Sequence, residues 1–297
     1  MSVPAISILP ASDIDANAWD HCIASDPHGL IYSRYHFLHA LCDQWHGLVL
    51  GQYEAVMPIP WRRKWFIRYA YQPAFIQQLG LTGHYSPDVF PDIQKALRKF
   101  VRLGDSTLHH GNAALANSLQ HIRPRNNFVL PLHKDFGQIR SGFAPLLLKN
   151  MERASRKSLQ YLKEYDLEVI LTQSRILYGS RIRQRQQKDE AALLQYCIQH
   201  PHHCLSRVVR AADGELLASA LLVQDERRLY LLINNTTIRG RAMLANHWLM
   251  HELIREYSGS NRTLDFEGSM LPGVEQFYRQ FGVRTETYYH WELNFFG

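Results

Sequence analysis

The spacing of apolar residues along the 297-residue chain changes character several times. Near the N-terminus, 17–25 and 32–45 predict helices; in the second, Tyr35, Leu38, Leu41 and Trp45 recur three and four apart and mark one face. Asp26-Pro27-His28-Gly29 separates them. Runs rich in β-branched and aromatic residues predict strands at 46–50, 53–59 and 66–71. A helix is expected at 89–103, with Ile93, Leu97, Phe100 and Val101 on one face, then a short strand at 105–109 and a firmer one at 128–132. Beyond that the pattern predicts one long basic helix over 142–165, a strand at 167–171 and a helical region over 174–200.

The last third is the most regular. Strands at 205–211, 216–223 and 228–234 are separated by Asp213-Gly214, a hairpin signal, and by the charged turn Asp225-Glu226-Arg227. A helix at 241–257, a strand at 262–267, a helix at 272–281 and a strand at 284–293 complete it. Both halves run helices, a meander of strands, a helix and further strand. The expectation is an α/β (α+β) chain of two similar domains, 1–135 and 136–297, each a mixed, mostly antiparallel sheet flanked by helices.

Composition narrows the class. With 46% hydrophobic and 20% charged residues the chain can build an ordinary core. Cys22, Cys42, Cys197 and Cys204 form no CxxC pair, as suits a reducing compartment. The N-terminus lacks the basic and apolar regions of a signal peptide, and no uncharged run is long enough to span a bilayer, so a cytoplasmic protein without stable membrane insertion is expected. The net charge of +6, concentrated at 61–65, 149–163 and 175–188, favours polyanionic partners, although solvated helix faces would carry the same charge.

Several segments carry candidate chemistry. Thr237-Ile238-Arg239-Gly240-Arg241-Ala242 joins a strand to a helix, where backbone N–H groups bind phosphate, glycine permits close approach and Arg239 and Arg241 add charge; an ordinary loop has the same outline. Asp265 and Glu267 alternate at a strand end, so they are expected on one side, placed to orient or deprotonate an amine, or else one of them caps the helix at 272–281 or pairs with a nearby arginine. Asn234, Asn235, Ser269, Arg156, Gln77 and Gln78 are the candidate substrate-binding side chains, the two glutamines serving equally as a satisfied turn. The Cys197–Cys204 cluster matches no zinc spacing, and no metal is expected. Trp61–Trp65, three cations between two indoles, reads best as a hairpin tip, with nucleic acid or membrane contact as the alternatives.

The strand and helix order of 205–292 resembles the GNAT acyltransferase core. In that resemblance 237–242 corresponds to the pyrophosphate loop, with Gly240 and Ala242 matching and Thr237 departing from Gln/Arg, and Tyr278, four residues before Gly282, corresponds to the tyrosine that protonates a departing thiolate. A narrower likeness is to FemAB-type aminoacyltransferases. It rests on Leu264-Asp265-Phe266-Glu267-Gly268-Ser269, on Gly273–Tyr278 with Phe281-Gly282, on the basic run Lys149–Ser158 and on Asn127–Leu132. Tyr278 stands where that family usually carries lysine, and the coiled-coil arm of some members is missing. The resemblance implies transfer of an acyl or aminoacyl group, from acyl-CoA or aminoacyl-tRNA, to a small-molecule or peptide amine, with tRNA as a partner. A degraded GNAT-fold module holding RNA or an acidic partner in a basic groove is the rival expectation, and a membrane-associated lipid-modifying transferase a third.

Overall fold

The computed structural model describes residues 4–179, 186–268 and 272–294. Two compact units divide the chain, one of residues 1–125 with 287–297 and the other of 126–286. From residue 287 onward the end of the chain therefore belongs with the first unit.

In the first unit, β1 (Ile6–Pro10), α1 (Ala16–Ser25) and α2 (Tyr35–Leu41) lead into β2 (Trp45–Leu50), β3 (Ala55–Lys64), β4 (Ile67–Ala70) and β5 (Thr82–Gly83). Then come α3 (Phe90–Phe100), β6 (Leu103–Leu108) and α4 (Ala113–Asn117). Asp15 caps α1 by accepting from the Asn17 and Ala18 N–H groups. The helix expected at 32–45 is shorter than predicted, because Trp45 already pairs with Pro60 in the β2–β3 ladder. Strand β3 runs past its expected end to Lys64, and Trp65 and Phe66 turn the chain into β4.

The parallel contact of β4 with β6 is limited to Tyr69 opposite Leu103 and Ala70 opposite Gly104. Beyond it the unit's own chain occupies the space. Thr107 donates to Gln72 Oε1 at 3.1 Å and accepts from the Leu79 N–H at 3.2 Å, and the His109 N–H donates to Leu79 O at 2.7 Å.

The second unit begins within β7 (Ile122–Pro131) and continues through α5 (Phe136–Arg140), α6 (Pro145–Ser155), β8 (Gln160–Leu162), α7 (Leu167–Tyr178) and α8 (Gln187–Gln199). It is completed by β9 (Cys204–Arg210), β10 (Leu216–Gln224), β11 (Arg228–Thr236), α9 (Ile238–Ala242), α10 (Ala245–Tyr257), β12 (Thr263–Asp265) and α11 (Pro272–Arg279). Its sheet has the order β7-β12-β11-β10-β9-β8, antiparallel except for β11 with β12. Strand β10 is buried from Leu217 to Val223, with α10 packed on it and α7 on its other neighbourhood of β10 and β11. The final strand, β13 (Arg284–Asn294), pairs with β6 in the first unit.

Two expectations need correction here. The single helix over 142–165 is α6 followed by β8, the change of direction being made at Ser158 in the left-handed region (φ 50°). The strand expected at 167–171 is the first part of α7. Asp166 caps it by accepting from the Val169 N–H, and Leu167, Ile170, Leu171 and Ser174 form a buried helical stripe.

Candidate active site in the second unit

Strands β11 and β12 pair only at Arg228–Thr263, Leu229–Leu264 and Tyr230–Asp265. Strand β12 ends there while β11 runs on to Thr236, so beyond Tyr230 that edge of β11 has no strand partner among the described residues. The ladder between β10 and β11 slips at this point: Leu221 faces Ile233 and Leu222 faces Leu231, which leaves Leu232 as a bulge. A bulge re-aims the backbone groups and side chains that follow it.

Two side chains meet at this opening. Asn234, just after the bulge, hydrogen-bonds the Tyr278 phenol from α11. Tyr278 is only 6% exposed. Burial pushes its phenol up to about 12; the Asn234 bond works in the opposite sense, as a donor to the oxygen does, and the neighbouring Glu267 and Tyr178 push it further up. Asn234 Oδ1 has no hydrogen-bond partner among the described residues. Tyr278 therefore stays protonated at neutral pH.

Glu267 approaches through a strained backbone. Its φ is 53°, a region that costs a non-glycine residue on the order of 1 kcal/mol and that persists only where the surroundings impose it. Asp265 imposes it by accepting the Glu267 N–H at 2.9 Å. Gly268 follows at φ 25°, where a Cβ would sit 2.1 Å from Asn126 O, so only glycine fits.

Asp265 differs from the expected companion carboxylate on the same exposed side. It is fully buried and takes Asn127 Nδ2 at 3.0 and 3.1 Å and Arg228 at 2.9 Å, in addition to Glu267 N–H. Burial pushes its carboxyl up, and Arg228, the Glu267 N–H and Asn127 pull it back. Arg228 also reaches Glu286 at 2.9 Å. Asp265 thus bonds the Glu267 turn and pairs with Arg228.

The 237–242 segment is a capped helical turn. Thr237 caps α9, its hydroxyl accepting the Gly240 N–H at 2.9 Å, and a Cβ on Gly240 would meet Leu217 O at 2.2 Å. Gly240 is therefore required by packing on β10. Arg239 pairs with Asp213 at 2.7 Å and with Glu215, both on the preceding hairpin turn. Arg241 is exposed, and Lys157, from the basic run after α6, donates to Ala242 O at 2.7 Å.

The remaining candidates are dispersed. Asn235 is buried and ties α7 to the sheet, donating to Ile170 O at 2.9 Å and Ser219 Oγ at 3.1 Å. Arg156 is exposed and paired with Glu152. Gln78 is fully buried in the first unit, its amide donating to Gln77 Oε1 at 2.8 Å while its own Oε1 has no hydrogen-bond partner among the described residues. Ser269 lies outside the described residues. Sequence reasoning missed Tyr178, Asn127 and Arg228. Tyr178 lies in the helical region expected over 174–200 and Arg228 opens the strand expected at 228–234, and neither stood out there as a site residue. Among the described residues no three His, Cys, Asp or Glu side chains converge as a metal site, and no helix is long and apolar enough to cross a membrane.

No family model and no curated protein matches the sequence. Solved structures do match in fold. A FemX crystal structure superposes with a TM-score of 0.66 at 12% identity, over 97% of this chain and 98% of that one. The C-terminal domain of a putative lysylphosphatidylglycerol synthetase from Agrobacterium fabrum gives 0.57 at 13% identity, covering 94% and 91%. A tandem GNAT protein from the clavulanic acid biosynthesis pathway gives 0.56 at 10%, covering 98% and 99%. At these identities the likeness concerns architecture: the chain has the mixed α/β fold shared by FemX and tandem GNAT structures, as the sequence resemblance implied.

Proposed function

We propose that the chain is an acyltransferase that moves an acyl or aminoacyl group from an activated donor to an amine. The observation that supports this best is the Tyr278–Asn234 pair beside Glu267, at the point where β11 continues past β12. The amine nitrogen attacks the donor's acyl carbon; the new C–N bond forms as the C–S or C–O bond to the donor breaks. Glu267 takes the proton that the incoming amine must lose. Tyr278 gives its proton to the departing thiolate or alkoxide, and with a pKa of about 12 it is fully protonated at neutral pH. The edge of β11 past Tyr230, which has no strand partner among the described residues, would supply N–H groups for the oxyanion. Donor phosphates would lie near the 237–242 turn, where Gly240 and Ala242 are small and Arg241 and Lys157 contribute charge.

The donor is acyl-CoA or aminoacyl-tRNA, the acceptor a small-molecule or peptide amine, and no metal is invoked. Incubating the protein with each donor class and a panel of primary amines, with amide formation read by mass spectrometry, tests the reading. Transfer from one donor supports it, and absence of transfer from both sinks it.

A second reading has its own support in the ion pairs of Arg239 and the capped Gly240 N–H, which withdraw groups from a donor site. In it the fold holds RNA or an acidic partner without chemistry. Calorimetry separates the two: binding of RNA with no binding of acetyl-CoA, long-chain acyl-CoA or aminoacyl-tRNA favours the module.

A further inference from the structure

We propose that the β3–β4 hairpin of the first unit is a peripheral anchor for anionic lipid surfaces. Trp65 and Phe66 form its two-residue tip, and both are 84% exposed. Leaving two large rings in water at a protruding turn forgoes burial that other aromatic residues of this chain obtain. Backbone geometry sharpens the point. Trp65 has φ 58°, a conformation that such turns ordinarily give to glycine, asparagine or aspartate. The bulky ring is thus retained where local stability disfavours it.

The shank of the hairpin is basic. Arg63 and Lys64 are exposed and have no acidic partner among the described residues. Arg63 stands directly opposite Arg68 across the ladder, a like-charge pairing that weakens a hairpin unless an anion relieves it. Arg68 is held at 4.6 Å over the Phe100 ring, and Arg62 lies 3.9 Å over Tyr71 while paired with Asp43. Rings at the end and cations behind them match the layering of a bilayer surface, where aromatic side chains settle at the headgroup boundary and lysine and arginine meet lipid phosphates. A nucleic-acid site would instead use rings along a groove that tracks the backbone, and these two are confined to the exposed two-residue turn of one hairpin. Two rings and a few cations give reversible attachment, which needs no spanning helix.

Co-sedimentation of the full chain with vesicles tests the proposal, using phosphatidylcholine alone and phosphatidylcholine mixed with phosphatidylglycerol. Wild-type protein should bind the anionic vesicles at least ~10-fold more strongly than the neutral ones and lose binding as salt rises. Trp65→Ala with Phe66→Ala should weaken anionic binding ~10-fold or more, and Trp65→Phe should retain most of it. Trp65→Gly separates anchoring from folding, because glycine relieves the turn: thermal stability should hold or rise while vesicle binding falls. Undiminished binding by Trp65→Gly and by the double alanine variant would overturn the proposal, as would wild-type protein that binds an RNA homopolymer but no vesicle.

Discussion

Replacing Asp265 with alanine tests whether the strained turn at Glu267 is built by a buried ion pair. The substitution removes the acceptor of the Glu267 N–H at 2.9 Å, both contacts from Asn127 and the 2.9 Å pair with Arg228, all at a position with no solvent access. Stranding one member of a buried pair costs about 3–5 kcal/mol. Arg228, 12% exposed at its side chain, keeps Glu286 at 2.9 Å, which lowers the expected loss to about 2–4 kcal/mol. Urea unfolding gives the global change, and hydrogen exchange at β11 and β12 reports the second unit directly. Asp265→Asn should cost less, since its carbonyl still accepts from Glu267. Arg228→Met combined with Asp265→Leu should recover part of the loss by removing the stranded charge. An Asp265→Ala protein within about 0.5 kcal/mol of wild type would refute the reasoning, because surface substitutions already span that range.

Gly268→Ala should destabilise by about 1–3 kcal/mol and lower transfer activity, since its Cβ would lie 2.1 Å from Asn126 O at a left-handed position; thermal unfolding and turnover check it together. Acid should weaken the fold in two windows. Burial alone would raise the Glu256 carboxyl, but hydrogen bonds from Arg207, Lys163 and Tyr161 outweigh it and hold the group at about 2. Its contribution is complete above the ordinary value of about 4.3 and is lost as pH falls from there towards 2, and Glu256→Gln should flatten that part of a stability-against-pH curve. His109, neutral in the fold because burial and His110 push it down to about 4, contributes stability that is lost as pH falls from about 6.5 to 4, and His109→Gln should remove that slope.

Short apolar runs at β9, β10 and β11, separated by the Asp213-Gly214 turn and the charged turn at 225–227, made the second unit's sheet legible, because each strand carries its own local signal. Residues 167–171 misled because Val169 and Ile170 favour strands, while the information that decides for a helix lies in the cap at Asp166 and in a stripe continuing to Ser174. Tyr278 and Glu267 were singled out by their motif, but the separation of Asp265 from Glu267 was not legible. Period-two alternation holds only while the backbone stays extended, and the left-handed turn at Glu267 ends it. Glutamines 77 and 78 fitted a groove and a turn equally well, since nothing local reveals that Gln72 and Leu79 on either side of them bond Thr107. Nor does any local pattern show that β13 finds its partner in β6.

The central claim, that the opening beside β11 is an acyl-transfer centre, meets its most direct test in single-turnover amide formation by wild type and Tyr278→Phe with whichever donor the wild type accepts. The hydroxyl deletion should lower the rate of the chemical step by about 10²-fold or more while donor affinity stays within about twofold of wild type. A Tyr278→Phe protein that transfers at the wild-type rate would contradict the account.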